Sequence, residues 1–288
     1  MPMPFLRTVA LGLAGWALCI GAWSQTAPSP CASLGAGLPQ RAARAPGGAA
    51  FADAVGGLPE HERDRAIRDE LLAGNLPAFL RRLQPVTARA LLPTGRMVSL
   101  TLCVLPDYLS IGSDDDHLRV PMGLDSALAV AARFGFMLPT RRIVDLIYRQ
   151  ASVRLAPQPL PAGDQMRSTG YIRRHDAMVR EQMAEAGAAE GALTAGHKKD
   201  VVLSARLWTQ PGRVAIYGWH RAVGAPIQPL STVHGARYVD YSHGVRLVSD
   251  VVFVDDRPTS LFDALADAVL APLLSDEGPL PRAGQLGG

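Results

Sequence analysis

Apolar residues recur at helical spacing in several stretches before residue 190, and in strand-like runs in two blocks, 86–105 and 201–254. Residues 59–73 set Glu60, Glu62, Arg63, Asp64 and Arg65 ahead of Ile67, Leu71 and Leu72, with Gly74 behind. That order predicts a helix with its acids at the positive end. A short second helix is predicted over 76–83, closed by Pro85. Strands at 86–92 and 96–105, rich in Val, Leu and Thr, flank Pro93-Thr94-Gly95 and read as a hairpin. Asp125 caps a helix to Phe134, ended by Gly135, and Thr140 caps another over 141–151 with Ile143, Leu146 and Ile147 on one face.

Beyond the prolines at 157–161, residues 171–186 predict a charged amphipathic helix whose Arg173, Arg174 and His175 form its wet face. Strands are predicted at 201–203, 213–217, 238–241 and 245–254, then a final helix over 260–274. Helices and strands fall in separate clusters instead of alternating. The fold class predicted is therefore α+β, with a mainly antiparallel sheet, helices gathered in the first two thirds and one helix at the C-terminus.

The two ends change that picture. Arg7 precedes an apolar run over 8–23, and Ala22 and Ser24 stand three and one before a cut at Gln25, so residues 1–24 read as an export signal peptide. The run is shorter than the ~20 residues a bilayer span needs, so no stable membrane span is expected after cleavage. Residues 25–57, rich in Ala, Gly and Pro, are expected to be a flexible tether. Residues 58–275 are expected to form a single domain with a helical N-terminal part, and 276–288 a flexible tail. A net charge of +3 over 288 residues gives no sign of a nucleic-acid groove. Cys31 and Cys103 survive the expected cut, and two readings stand: a disulfide in an oxidising compartment, or Cys103 as a small buried hydrophobe in its apolar run.

Four of the seven histidines, His197, His220, His234 and His243, fall in one stretch, each accompanied by glycine. Asp240 lies between the last two. If 238–241 is extended, Asp240 and His243 converge only through a bend at Ser242-His243-Gly244. Lys198 and Lys199 either bind an anionic group or form a solvated turn with one lysine paired to Asp200. Asp114-Asp115-Asp116 lack the alternate spacing of a calcium loop and read as a solvated acidic turn.

Two local patterns resemble known families. Ser242-His243-Gly244-Val245-Arg246-Leu247 resembles the Ser-His-Gly-Cys motif of L,D-transpeptidases, with Val245 where the nucleophilic cysteine would stand. Residues 231–240 resemble the His-to-Asp segment of zinc-dependent D-Ala-D-Ala-type peptidases. Here the His234 to Asp240 interval is one residue shorter, and no histidine follows His243.

The function expected is a secreted or periplasmic hydrolase acting on an extracellular or cell-wall polymer or peptide. His220, His234, Asp240 and His243 are its catalytic residues and a candidate zinc set, since three N/O ligands and an open position suffice for hydrolysis. Lys198, Lys199, Arg246, Trp219 and Tyr241 are expected to contact substrate. Two alternatives stand beside it: a non-enzymatic carbohydrate- or peptide-binding domain using Trp208, Tyr217, Trp219, Tyr238 and Tyr241, and a metal-free polysaccharide-cleaving enzyme.

Overall fold

The computed structural model describes Met1 and residues 29–286, so the expected signal peptide and its cleavage point lie outside the described residues. In chain order come helices α1 (Gly48–Val55) and α2 (Glu60–Leu72), and strands β1 (Gln84–Leu91), β2 (Met97–Val104), β3 (Ser110–Gly112) and β4 (His117–Arg119). Then follow α3 (Leu124–Phe134), β5 (Phe136–Met137), α4 (Arg141–Gln150), β6 (Val153–Arg154), α5 (Thr169–Glu185), β7 (Thr194–Ala195) and β8 (Lys199–Val201). The chain continues through α6 (Arg206–Thr209), β9 (Ile216–Ala222), β10 (Ala225–Ser231), β11 (His243–Gly244), β12 (Val248–Val254), β13 (Arg257–Ser260), α7 (Leu261–Ala266) and α8 (Ala271–Leu274). One sheet runs β1-β2-β12-β13 with β5 on β12, and a second runs β10-β9-β8-β11. All pairs in the first are antiparallel and only β11–β8 is parallel in the second, so the class is α+β.

The predicted hairpin is present, with Gln84 opposite Val104 and Leu91 opposite Met97. Its inward residues Val98, Leu100 and Leu102 are buried, as the period of two requires. Helix α4 buries the expected face of Ile143, Leu146 and Ile147, while α3 buries Leu124, Ala127, Val130 and Ala131 and starts behind Gly123, which leaves Asp125 exposed in its first turn and not at the cap. Gly135 ends α3 in the left-handed conformation at φ 74°.

Several expectations need correction. From residue 29 the expected tether is folded: α1 lies in it, and Cys31, Leu38, Phe51 and Val55 are buried. A disulfide joins Cys31 to Cys103, so Cys103 is both buried and bonded. The helix predicted over 76–83 shrinks to a 3-10 turn, Ala78–Arg81, between Pro77 and Pro85. The C-terminal helix is two short ones, because the Asp267 carboxylate accepts from the Val269 and Leu270 amides and turns the chain there. The expected tail is docked through Leu280 and Ala283. The acidic turn is put to use as well: Asp114 accepts from the Phe79 amide and Asp116 from the Ala49 amide at the start of α1.

The disulfide closes a separation of 72 residues and anchors the segment before α2 to the central hairpin. Reduction, or Cys31→Ser with Cys103→Ser, is expected to cost about 2–5 kcal/mol and to free the 29–57 segment first. Melting curves with and without reductant, followed by limited proteolysis, check this. An unchanged melting temperature would make the bond incidental.

Candidate functional site

Sheet β10-β9-β8-β11 places most of the candidate residues. Lys199 on β8 pairs with His243 on one side and Gly218 on the other, so the Ser-His-Gly segment and the Trp-His segment flank the same lysine. Gly244 is required where it stands, because a Cβ there would come within 2.6 Å of the Tyr108 ring. Residues 232–242 are a loop, not the expected strand. The His234 carbonyl accepts from the Val214 amide, the Ala236 amide donates to Gly212 O, and the Ala236 carbonyl accepts from the Leu124 amide.

That loop and β11 bring together three of the four predicted catalytic residues. His234 stacks on Tyr238 at 4.0 Å between ring centroids, and these rings stand 6.2 and 5.9 Å from the His243 ring. The bend expected at Ser242 is made by Asp240, whose Oδ1 accepts from the Ser242 amide at 2.8 Å and its hydroxyl at 2.5 Å. Asp240 Oδ2 accepts from the Tyr238 hydroxyl at 3.3 Å and lies 3.8 Å from His243 Nε2, too far for a hydrogen bond. His243 is 1% exposed, and among the described residues neither of its ring nitrogens has a hydrogen-bond partner. Such a buried, unpaired imidazole is costly unless something else meets it.

Burial pushes His243 down to about 4, against the pull of Asp240, so it is neutral at ordinary pH. Burial pushes Asp240 up, but His243, Ser242 and Lys199 outweigh it and hold the carboxyl below its usual range. Lys199 lies with its Nζ 5.0 Å from the centroid of the Trp219 ring, and burial lowers its pKa. Trp219 has a positive φ of 56°, a strained backbone for a bulky residue, and its buried Nε1 has no partner among the described residues.

The structure takes the other predicted residues elsewhere. His220 bonds Asp145 at 2.9 Å and stacks on Tyr148, both of α4, whereas the neighbouring Trp219 ring packs toward His175 and Tyr241. Adjacent strand residues point to opposite faces, and this separates His220 from His243. Arg246 is a core residue: it donates to Leu105 O and Thr194 O and lies over the Tyr108 ring. Lys198 is buried, donates to Tyr241 O at 2.6 Å and contacts His175 Nδ1 at 3.1 Å, and burial lowers it to about 8. Asp200 pairs with neither lysine and instead accepts from the Tyr108 hydroxyl. Tyr241 is buried, its hydroxyl bonded to the Leu160 backbone. Tyr217, Trp219 and Tyr241 therefore present no open aromatic platform.

His175 corrects the wet-face expectation for α5. With Ile172, Asp176 and Val179 it is buried, at spacings of three, four and seven. That spacing was visible, but polarity concealed it. Asp176 and Asp107 clamp the buried Arg119 at 2.8 and 2.7 Å, and His197 bonds Asp107 at 3.1 Å. Distant residues 107, 119 and 176 gave no sequence signal of meeting.

For zinc, His234, Asp240 and His243 are the donors left after His220 is removed. The His234 ring is engaged by Tyr238 and one Asp240 oxygen by Ser242. Among the described residues no group of three His, Cys, Asp or Glu side chains is placed to hold a metal ion. Comparison with protein-family models, curated proteins and solved structures finds no match for this chain.

Proposed function

We propose that the protein is an exported hydrolase of an extracellular or cell-wall polymer, with Asp240 and His243 as a metal-independent acid–base pair. The observation that carries this reading is the buried His243 ring with both nitrogens unpartnered beside an ionised carboxylate. In its neutral form His243 takes a proton from attacking water, and Asp240 stabilises the imidazolium that results. The Lys199 ammonium is the nearby positive charge for a developing oxyanion. Half-buried His234 and Tyr238 flank the ring. Export is supported by the charged head and apolar run of residues 1–24, and by a disulfide that belongs to oxidising compartments.

The test is release of soluble fragments from a panel of purified wall and extracellular polymers, with products identified by mass spectrometry. Products carrying one added water per bond cleaved support hydrolysis. Unsaturated ends would favour the metal-free eliminating enzyme, and binding without release would favour a recognition domain.

A pH profile provides a second check. The base acts when deprotonated, so activity is lost as pH falls through about 4 and is retained near the pH 6.5 of ordinary imidazole. Chelation should leave the rate unchanged. Loss on chelation with recovery on adding Zn²⁺ would instead assign a metal to His234, Asp240 and His243.

A further inference from the structure

A cleft of about 290 Å³ opens where α3 ends, walled by Leu128, Phe136, Met137, Leu203, Phe262 and Leu286. It shares no lining residue with the His243 site. Among the described residues lining it, Asp250 alone carries a charge.

The placement of that carboxylate is unusual. The Asp250 amide donates to Gly135 O at 3.0 Å, and a Cβ built on Gly135 would lie 3.7 Å from Asp250 Oδ2. Gly135 is the C-cap of α3, so the carboxylate stands at the negative end of a helix of 11 residues. Half-buried, it interacts with its own backbone amide; among the described residues no side chain forms an ion pair or hydrogen bond with it, and partial burial raises its pKa. A carboxylate that needed neutralising for stability alone would sit at a helix N-terminus or beside an arginine. Here two sources of negative potential meet in an apolar lining with no cation supplied by the fold. An anionic guest is repelled and a neutral apolar guest covers the half-exposed carboxylate without replacing its hydration, whereas an ammonium head replaces it.

We infer that this cleft binds a small apolar amine in its ammonium form, the head against Asp250 and the hydrocarbon body among Leu128, Phe136 and Phe262. The volume suits a ligand of roughly ten non-hydrogen atoms, taking about 30 Å³ for each water-sized unit. This site is independent of the hydrolase reading.

The experiment titrates the folded full-length mature protein, at neutral pH, with hexylammonium, hexanol and hexanoate, following backbone amide shifts by NMR. Hexylammonium should shift Gly135, Phe136, Asp250 and Leu286 and bind at least about tenfold more tightly than hexanol, the worth of one charge-assisted contact. Asp250→Asn should bring hexylammonium down to the hexanol level without changing hexanol, and Leu128→Trp should fill the cleft and block both. Equal binding of the three probes, preference for hexanoate, shifts confined to other residues, no binding at all, or an Asp250→Asn protein that keeps its amine preference would each overturn the inference. Comparison of the three probes on the unmodified protein decides the matter even if either variant fails to fold.

Discussion

His243→Ala is expected to lower turnover by about 10²–10⁴-fold, the range a positioned general base contributes, while the protein stays folded. Folding should survive because the imidazole makes no side-chain hydrogen bond to lose, and removing it leaves no new unpaired group behind. Asp240→Asn should produce a comparable loss. Its amide oxygen can still accept from Ser242 and keep the loop turned, but the charge that stabilises the imidazolium is gone. The double variant should lose little more than either single one, since members of one catalytic unit are not additive. His220→Ala, by contrast, should reduce stability through its Asp145 bond and leave the rate per folded molecule near normal. Rates normalised to folded protein by circular dichroism make the comparison. Full activity in a folded His243→Ala protein would end the hydrolase reading.

Arg119→Met should be the most damaging single change to stability, at about 3–5 kcal/mol, because it strands Asp107 and Asp176 without their shared cation. All three groups are at most 2% exposed, so water cannot compensate. Burial pushes Asp107 up, yet Arg119 and His197 hold it well below 3.8. A carboxylate with a depressed folded pKa stabilises the protein above its unfolded value, and that contribution fades as pH falls through the folded one. The damage should therefore be greatest near neutral pH and shrink in acid. For a domain of this size the melting temperature should fall by roughly 6–20 °C. Combining Arg119→Met with Asp107→Asn and Asp176→Asn should recover much of the loss. A single variant that melts within a degree or two of the parent would show that the clamp contributes little.

Features that depend on neighbours along the chain are legible from residue order alone. Period-two burial in 96–105 and the turn at Pro93-Thr94-Gly95 specify the hairpin, and Thr140, Gly135 and the face of Ile143, Leu146 and Ile147 specify their helices. The crowding of His234, Asp240 and His243 within ten positions was equally legible, since a short segment between glycines has few ways to keep its side chains apart. Tertiary structure decided the rest. Whether Cys31 was tether or staple depended on where Cys103 stood, 72 residues away. His220 left the site because strand β9 turns it toward Asp145 of α4, and Arg246 became a core residue because Leu105 and Thr194 supply its carbonyls. His175, polar and on a charged helix, is buried because Lys198, just before β8, comes to meet it. A buried polar group is tolerated only where a partner exists, and the partner comes from chain that no local pattern connects to it.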